Sequence, residues 1–103
     1  MKFFIIFITF LALPFPLFGL EKGILFKYVT SSRILWKLIG DENHQPKYEG
    51  EIKRNKPHGK GTISYPIGNT YIGEFKDGKR WNGIMFDKEG TIIGKWLNGK
   101  EQQ

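Results

Sequence analysis

The chain contains no cysteine. That excludes a disulfide framework, a thiolate metal site, a cysteine nucleophile and a lipid-modified N-terminal cysteine. Histidine is scarce as well. His44 and His58 are the only two, and both sit in polar, turn-like stretches, DENHQPK and NKPH. A metal or acid–base role needs partners held beside them, so they read as solvated loop residues. Ser31 and Ser32 lie in no nucleophile motif and read as turn residues. Gly59-Lys60-Gly61 lacks the Gly-Lys-Ser/Thr continuation and the following helix of a phosphate-cradling loop. Past residue 39 there is no long aliphatic run. The net charge of +6 is spread along the chain, which is less than a dedicated nucleic-acid binder concentrates. These gaps point away from an enzyme, a metal, a cofactor or a nucleic-acid ligand.

What is present begins with MKFFIIFITFLALPFPLFG. Lys2 supplies a short positive region, and Phe3 to Gly19 is a run of 17 residues without charge. As a helix it would span about 26 Å, short of a hydrocarbon core of about 30 Å. Pro14 and Pro16 would break its second half. Residues 1–19 therefore read as a signal-peptide helix, with Gly19 suited to the −1 position and Leu17 large for −3. The expected location is the periplasm, the cell envelope or the outside of the cell. The alternative is an uncleaved N-terminal anchor.

Residues 20–47 form a lead-in. Ile24–Val29 (ILFKYV) and Arg33–Ile39 (RILWKLI) read as a strand hairpin punctuated by Thr30, Ser31 and Ser32. A short helix capped by Ser32 and closed by Gly40 competes for the second run. Asp41–Lys47 reads as a loop.

From Tyr48 the chain repeats itself. YEGEI, YIGEF and IIGKW open units at Tyr48, Tyr71 and Ile92, spaced by 23 and then 21 residues. Gly50, Gly73 and Gly94 follow, then Ile52, Phe75 and Trp96, then Asn55, Gly78 and Gly99. Periods of this kind signal a repeat architecture. Residues 48–103 are thus divided into units 48–70 and 71–91 and a partial unit 92–99. The first unit reads as strand, turn over Asn55–His58 with Pro57 barring a strand, return strand Gly59–Tyr65, and turn over Pro66–Asn69. In the second, a turn over Asp77–Arg80 precedes the return strand. Matching Gly61 to Gly83 and Gly68 to Gly90 shortens each turn by one residue and places Trp81 where the first unit has Gly59. The third unit has only its first strand. Glycine inside a strand is unfavourable alone. Repeated between large apolar residues of one face, it leaves space for a neighbouring aromatic ring. The expected fold is all-β: a single-layer antiparallel meander of hairpins, rings and glycines on one face, Glu49, Glu51, Lys60, Glu74 and Lys95 on the other.

YEGEIKRNKPHGKGTISYPIGNT and YIGEFKDGKRWNGIMFDKEGT resemble MORN (membrane occupation and recognition nexus) repeats, here in an exported, bacterial-type chain. The first has Ile52 for the family's aromatic and Asn55 for a glycine. The second lacks one glycine of the Gly-x-Gly pair, and the third has Ile92 for tyrosine. The resemblance implies a binding or scaffolding role at a membrane surface or against a protein partner. The alternative is an antitoxin- or immunity-like protein that neutralises a partner through its sheet face or edge.

The candidate binding surface is the basic cluster Lys53, Arg54, Lys56 and Lys60 around the first turn, with His58 among them, and Lys79, Arg80 and Trp81 at the second. In stacked units these turns would line one sheet edge as a positive stripe for an anionic membrane or an acidic protein. The same lysines also serve as solubilising edge protection. Trp81 is expected in a turn, capping the stack or anchoring a partner.

Overall fold

The computed structural model describes residues 20–103, and the signal-peptide reading of residues 1–19 lies outside them. Among the described residues there is no helix. They form one eight-stranded sheet: β1 Glu21–Val29, β2 Ile34–Lys37, β3 Lys47–Lys53, β4 Lys56–Ser64, β5 Thr70–Lys76, β6 Lys79–Phe86, β7 Ile92–Leu97 and β8 Lys100–Glu101. Every pairing is antiparallel. The order is β2-β1-β3-β4-β5-β6-β7-β8. From β3 onward this is the expected meander. The lead-in hairpin joins the same sheet with β1 inside, so β2 forms the edge.

One face carries the core. Leu25, Tyr48, Ile63, Tyr71, Phe75 and Met85 are buried on it, with Trp36, Ile52, Tyr65 and Trp96 packed against them. Five rings run across the strands edge to face. Trp36 meets Tyr48 at 6.3 Å between centroids, Tyr48 meets Phe75 at 4.9 Å, Phe75 meets Tyr71 at 5.0 Å, and Tyr71 meets Trp96 at 5.7 Å. Such T-shaped contacts add to the area that the rings bury. The glycines make room for them. A methyl group at Gly61 would lie within the Tyr48 ring, and one at Gly83 within the Tyr71 ring. The tyrosine hydroxyls repeat the unit's logic: Tyr48 Oη donates to the Glu51 carbonyl at 2.6 Å, and Tyr71 Oη to the Glu74 carbonyl at 2.9 Å.

The hairpins turn more tightly than the sequence reading expected. Arg54 and Asn55 have φ of 55° and 64°, Asp77 and Gly78 have 50° and 85°, and Asn98 and Gly99 have 52° and 86°. Positive φ at both central residues marks two-residue type I′ turns, whose twist suits antiparallel strands. Pro57 therefore lies in β4, not in a turn. It pairs with Ile52, one step from the closing Lys53–Lys56 pair. In a two-residue hairpin that second pair makes no cross-strand hydrogen bonds, so a missing N–H is tolerated. Its carbonyl accepts from Gly78 N at 2.8 Å. Arg80 and Trp81 likewise lie in β6.

The one-residue shortening of the second hairpin falls in a bulge rather than in the turn. Between its glycine pair and its turn, β4 has two more residues than β3, whereas β6 has one more than β5. The third unit is a closed hairpin with β8, not a lone strand. It also enters out of step: Trp96 pairs with Gly83, and Gly94 with Met85, whereas Gly73 pairs with Gly61. A two-residue slide keeps Gly94 and Trp96 on the ring face, while a bulge between Met85 and Phe86 pairs Ile92 with Phe86. The Trp96 ring covers Gly94 and still reaches Tyr71.

Candidate functional site

The seven candidate residues do not form one stripe. Lys53, Arg54, Lys56 and Lys79 are exposed at adjacent hairpin tips. The tips touch: Gly78 N donates to the Pro57 carbonyl, and the Lys56 stem lies beside Gly78. Each turn is closed by two lysines directly opposite one another, Lys53 with Lys56 and Lys76 with Lys79. Lys76 is a member of this cluster that the sequence reading omitted. His58 Nδ1 accepts from the Asp77 backbone N–H at 3.2 Å and lies 3.7 Å from the Asp77 carboxylate.

Lys60 is elsewhere. It sits mid-strand on the face away from the rings, opposite Glu74. Its backbone N–H donates to Glu51 Oε1 at 2.6 Å, and the glutamates keep this surface mixed in sign.

The bulge in β6 separates Arg80 from Trp81. Plain alternation back from Gly83 would put Trp81 on the ring face and Arg80 on the other. The extra residue reverses this. Arg80 pairs with Phe75 on the ring face, its guanidinium carbon is 4.4 Å from the Trp96 centroid, and Nη1 donates to Tyr65 Oη at 3.2 Å. Trp81 lies on the opposite face under Lys76 Nζ at 4.6 Å and against Gly99, whose N–H donates to the Trp81 carbonyl at 2.9 Å. It packs the last hairpin onto the sheet.

Arg80 borders a cleft of about 240 Å³ on the ring face, with Lys27, Trp36, Tyr65, Phe75 and Trp96 among its lining. Lys27 arrives from β1, paired with Trp36. Burial lowers its pKa, and the Arg80 charge lowers it further. Burial pushes the Tyr65 hydroxyl up, which the Arg80 charge and hydrogen bond partly offset. Lys27 was missed because it belongs to no repeat unit. Its alternation with Leu25 was the available signal.

Among the described residues, no three histidines or carboxylates gather to hold a metal. His44 Nδ1 is 2.7 Å from Asp41 Oδ2 in an exposed loop. The Asp41 pKa is lowered by the Asn43 backbone N–H and by His44, as in a loop held by its own hydrogen bonds.

The MORN repeat family pattern matches residues 48–70 and 71–81. The match stops at Trp81, where the β6 bulge begins. Human ALS2 C-terminal-like protein is 50% identical over 34 residues, covering 33% of this chain and 4% of that protein. Rat Alsin is 33% identical over 60 residues, covering 52% of this chain and 4% of that protein. The chain therefore spans about 4% of the length of the curated relatives it matches. The similarity is one of repeats: the first unit matches the MORN pattern throughout and the second only as far as Trp81.

Proposed function

We propose that the chain is an exported, non-enzymatic MORN-type module that binds or scaffolds at an anionic membrane surface, or against an acidic protein, through its basic hairpin tips. The observation that carries this reading is the pair of opposed lysines at two neighbouring tips. Like charges directly across a hairpin are destabilising. Among the described residues, Lys53, Arg54, Lys56, Lys76 and Lys79 make no ion pair. An anionic surface supplies the missing countercharge, at about 1 kcal/mol per basic residue. The uncharged segment after Lys2 supports export.

Vesicles of phosphatidylserine and phosphatidylcholine test the membrane arm. The wild-type chain should sediment with them at low salt and be released at high salt. Lys53→Glu with Arg54→Glu and Lys56→Glu should abolish sedimentation. No wild-type binding at low salt removes the membrane reading. Export is tested separately by N-terminal sequencing, with a mature terminus expected near Leu20. Recovery of Met1 from a membrane fraction would replace cleavage by an anchor.

An antitoxin- or immunity-like role is the second reading. It is supported by the apolar edge beside β2, where Ile34, Leu38 and Ile39 are exposed. It requires a stoichiometric protein partner at that edge.

A further inference from the structure

We propose that the ring-face cleft between Lys27 and Arg80 is a binding site for a carboxylate carried on an apolar body. This goes beyond the reading above: the cleft opens on the ring face and shares only Lys79 with the basic tips, while Lys53, Arg54, Lys56 and Lys76 lie outside its lining. The polar groups of the cleft are donors in excess. Lys27 offers its ammonium. Arg80 commits Nη1 to Tyr65 and keeps its other N–H groups. Tyr65 Oη accepts from Arg80, so its own proton is free to donate.

No acid answers these donors. Among the described residues, the ion pairs involve neither Lys27 nor Arg80. Two cations on the lining of one cleft are complementary to an anion. The guanidinium carbon lies 4.4 Å from the Trp96 ring centroid, and a planar guanidinium matches a carboxylate in two parallel hydrogen bonds. The apolar walls include Trp36, Ile63, Phe75 and Trp96, and Lys79 adds a third cation to the lining. The apolar walls suit a flat or branched apolar body better than a bare ion. The volume of about 240 Å³ equals that of about eight waters in the liquid, which is room for a ring and its carboxylate. An acidic residue flanked by an apolar one in a partner peptide presents the same chemistry as a free aromatic acid.

Benzoate is the probe, titrated into the full chain with the three tryptophan indole N–H resonances followed by NMR. The indoles of Trp36 and Trp96 should shift saturably, and that of Trp81, on the opposite face, should not. Lys27→Met and Arg80→Met should each weaken binding by about tenfold or more, the loss of one charge-assisted contact. Arg80→Lys should fall between wild type and Arg80→Met, which separates loss of the fork from loss of charge. The triple tip variant should bind benzoate as wild type does, so failure of the tip reading and failure of this one are distinguishable. Equal affinity for benzyl alcohol, tighter binding of inorganic phosphate than of benzoate, equal shifts at all three indoles, or unchanged binding by a folded Lys27→Met chain would each overturn the proposal. If benzoate binds, a short peptide with glutamate beside phenylalanine distinguishes a peptide ligand from a free acid.

Discussion

Gly73→Ala is expected to lower stability by about 3 kcal/mol or more, the upper end of overpacking effects. The reason lies in what a methyl group there would meet. At Gly61 it would strike the Tyr48 side chain, which has some freedom to shift. At Gly73 it would strike the backbone of β6: the Asn82 carbonyl oxygen, and the Gly83 Cα at 2.5 Å. Backbone in mid-sheet moves only if the ladder moves, and Gly73↔Gly83 is the last pair before the β6 bulge. The expected consequence is loss of the bulge, which would return Arg80 and Trp81 to the faces that alternation assigns them. Gly90→Ala is the control. Nothing lies within 4 Å of its added methyl, and its φ is 88°, so it should cost only about 1 kcal/mol of backbone strain. Chemical denaturation of the two variants gives the comparison. Equal midpoints would show that the glycine pair is not a close approach of two strands.

The same bulge explains where sequence reasoning succeeded and stopped. The Tyr-x-Gly-x-aromatic phrase was sufficient for the hairpins, the ring face and the glycines beneath the rings. Each of those depends only on alternation and on the spacing between units. A bulge breaks alternation without a residue type that announces it, so Arg80 was grouped with the tip lysines and Trp81 with the turn. Pro57 misled for a related reason. Its missing N–H argues against a strand until the two-residue turn places it at a pair that needs none. The slide of β7 was hidden because a shift of two residues leaves Gly94 and Trp96 on the face that the phrase assigns them. Lys27 and Trp36 lay outside the repeats altogether. They reach the ring face only because β1 pairs with β3, a long-range choice that no local pattern encodes. The tip lysines were legible as a cluster, but their opposition across each hairpin needed the turn type.

The ring ladder depends most heavily on Tyr48, which is fully buried and stands second of the five rings, between Trp36 and Phe75. Tyr48→Ala is expected to cost about 3–5 kcal/mol, the range for emptying a buried aromatic site. Tyr48→Phe keeps the ring but removes the hydroxyl that donates to the Glu51 carbonyl at 2.6 Å and approaches the Lys60 carbonyl at 3.3 Å. It should cost about 1–2 kcal/mol, because those acceptors lose their donor. The two variants separate packing from hydrogen bonding at one site. The hydroxyl also carries a pH signature. Burial, and next the Glu51 charge, push its pKa up to about 12. In the unfolded chain it titrates near 10. The fold therefore favours the protonated form. This contribution is complete below about pH 10 and is lost as pH rises through about 12. Tyr48→Phe has no such proton to lose, so the stability gap between wild type and variant should narrow from pH 8 to pH 11. Urea midpoints at the two pH values decide it. A gap that stayed constant would mean that the Tyr48 hydroxyl ionises in the sheet as readily as in water, and that its hydrogen bond to the Glu51 carbonyl does not hold it.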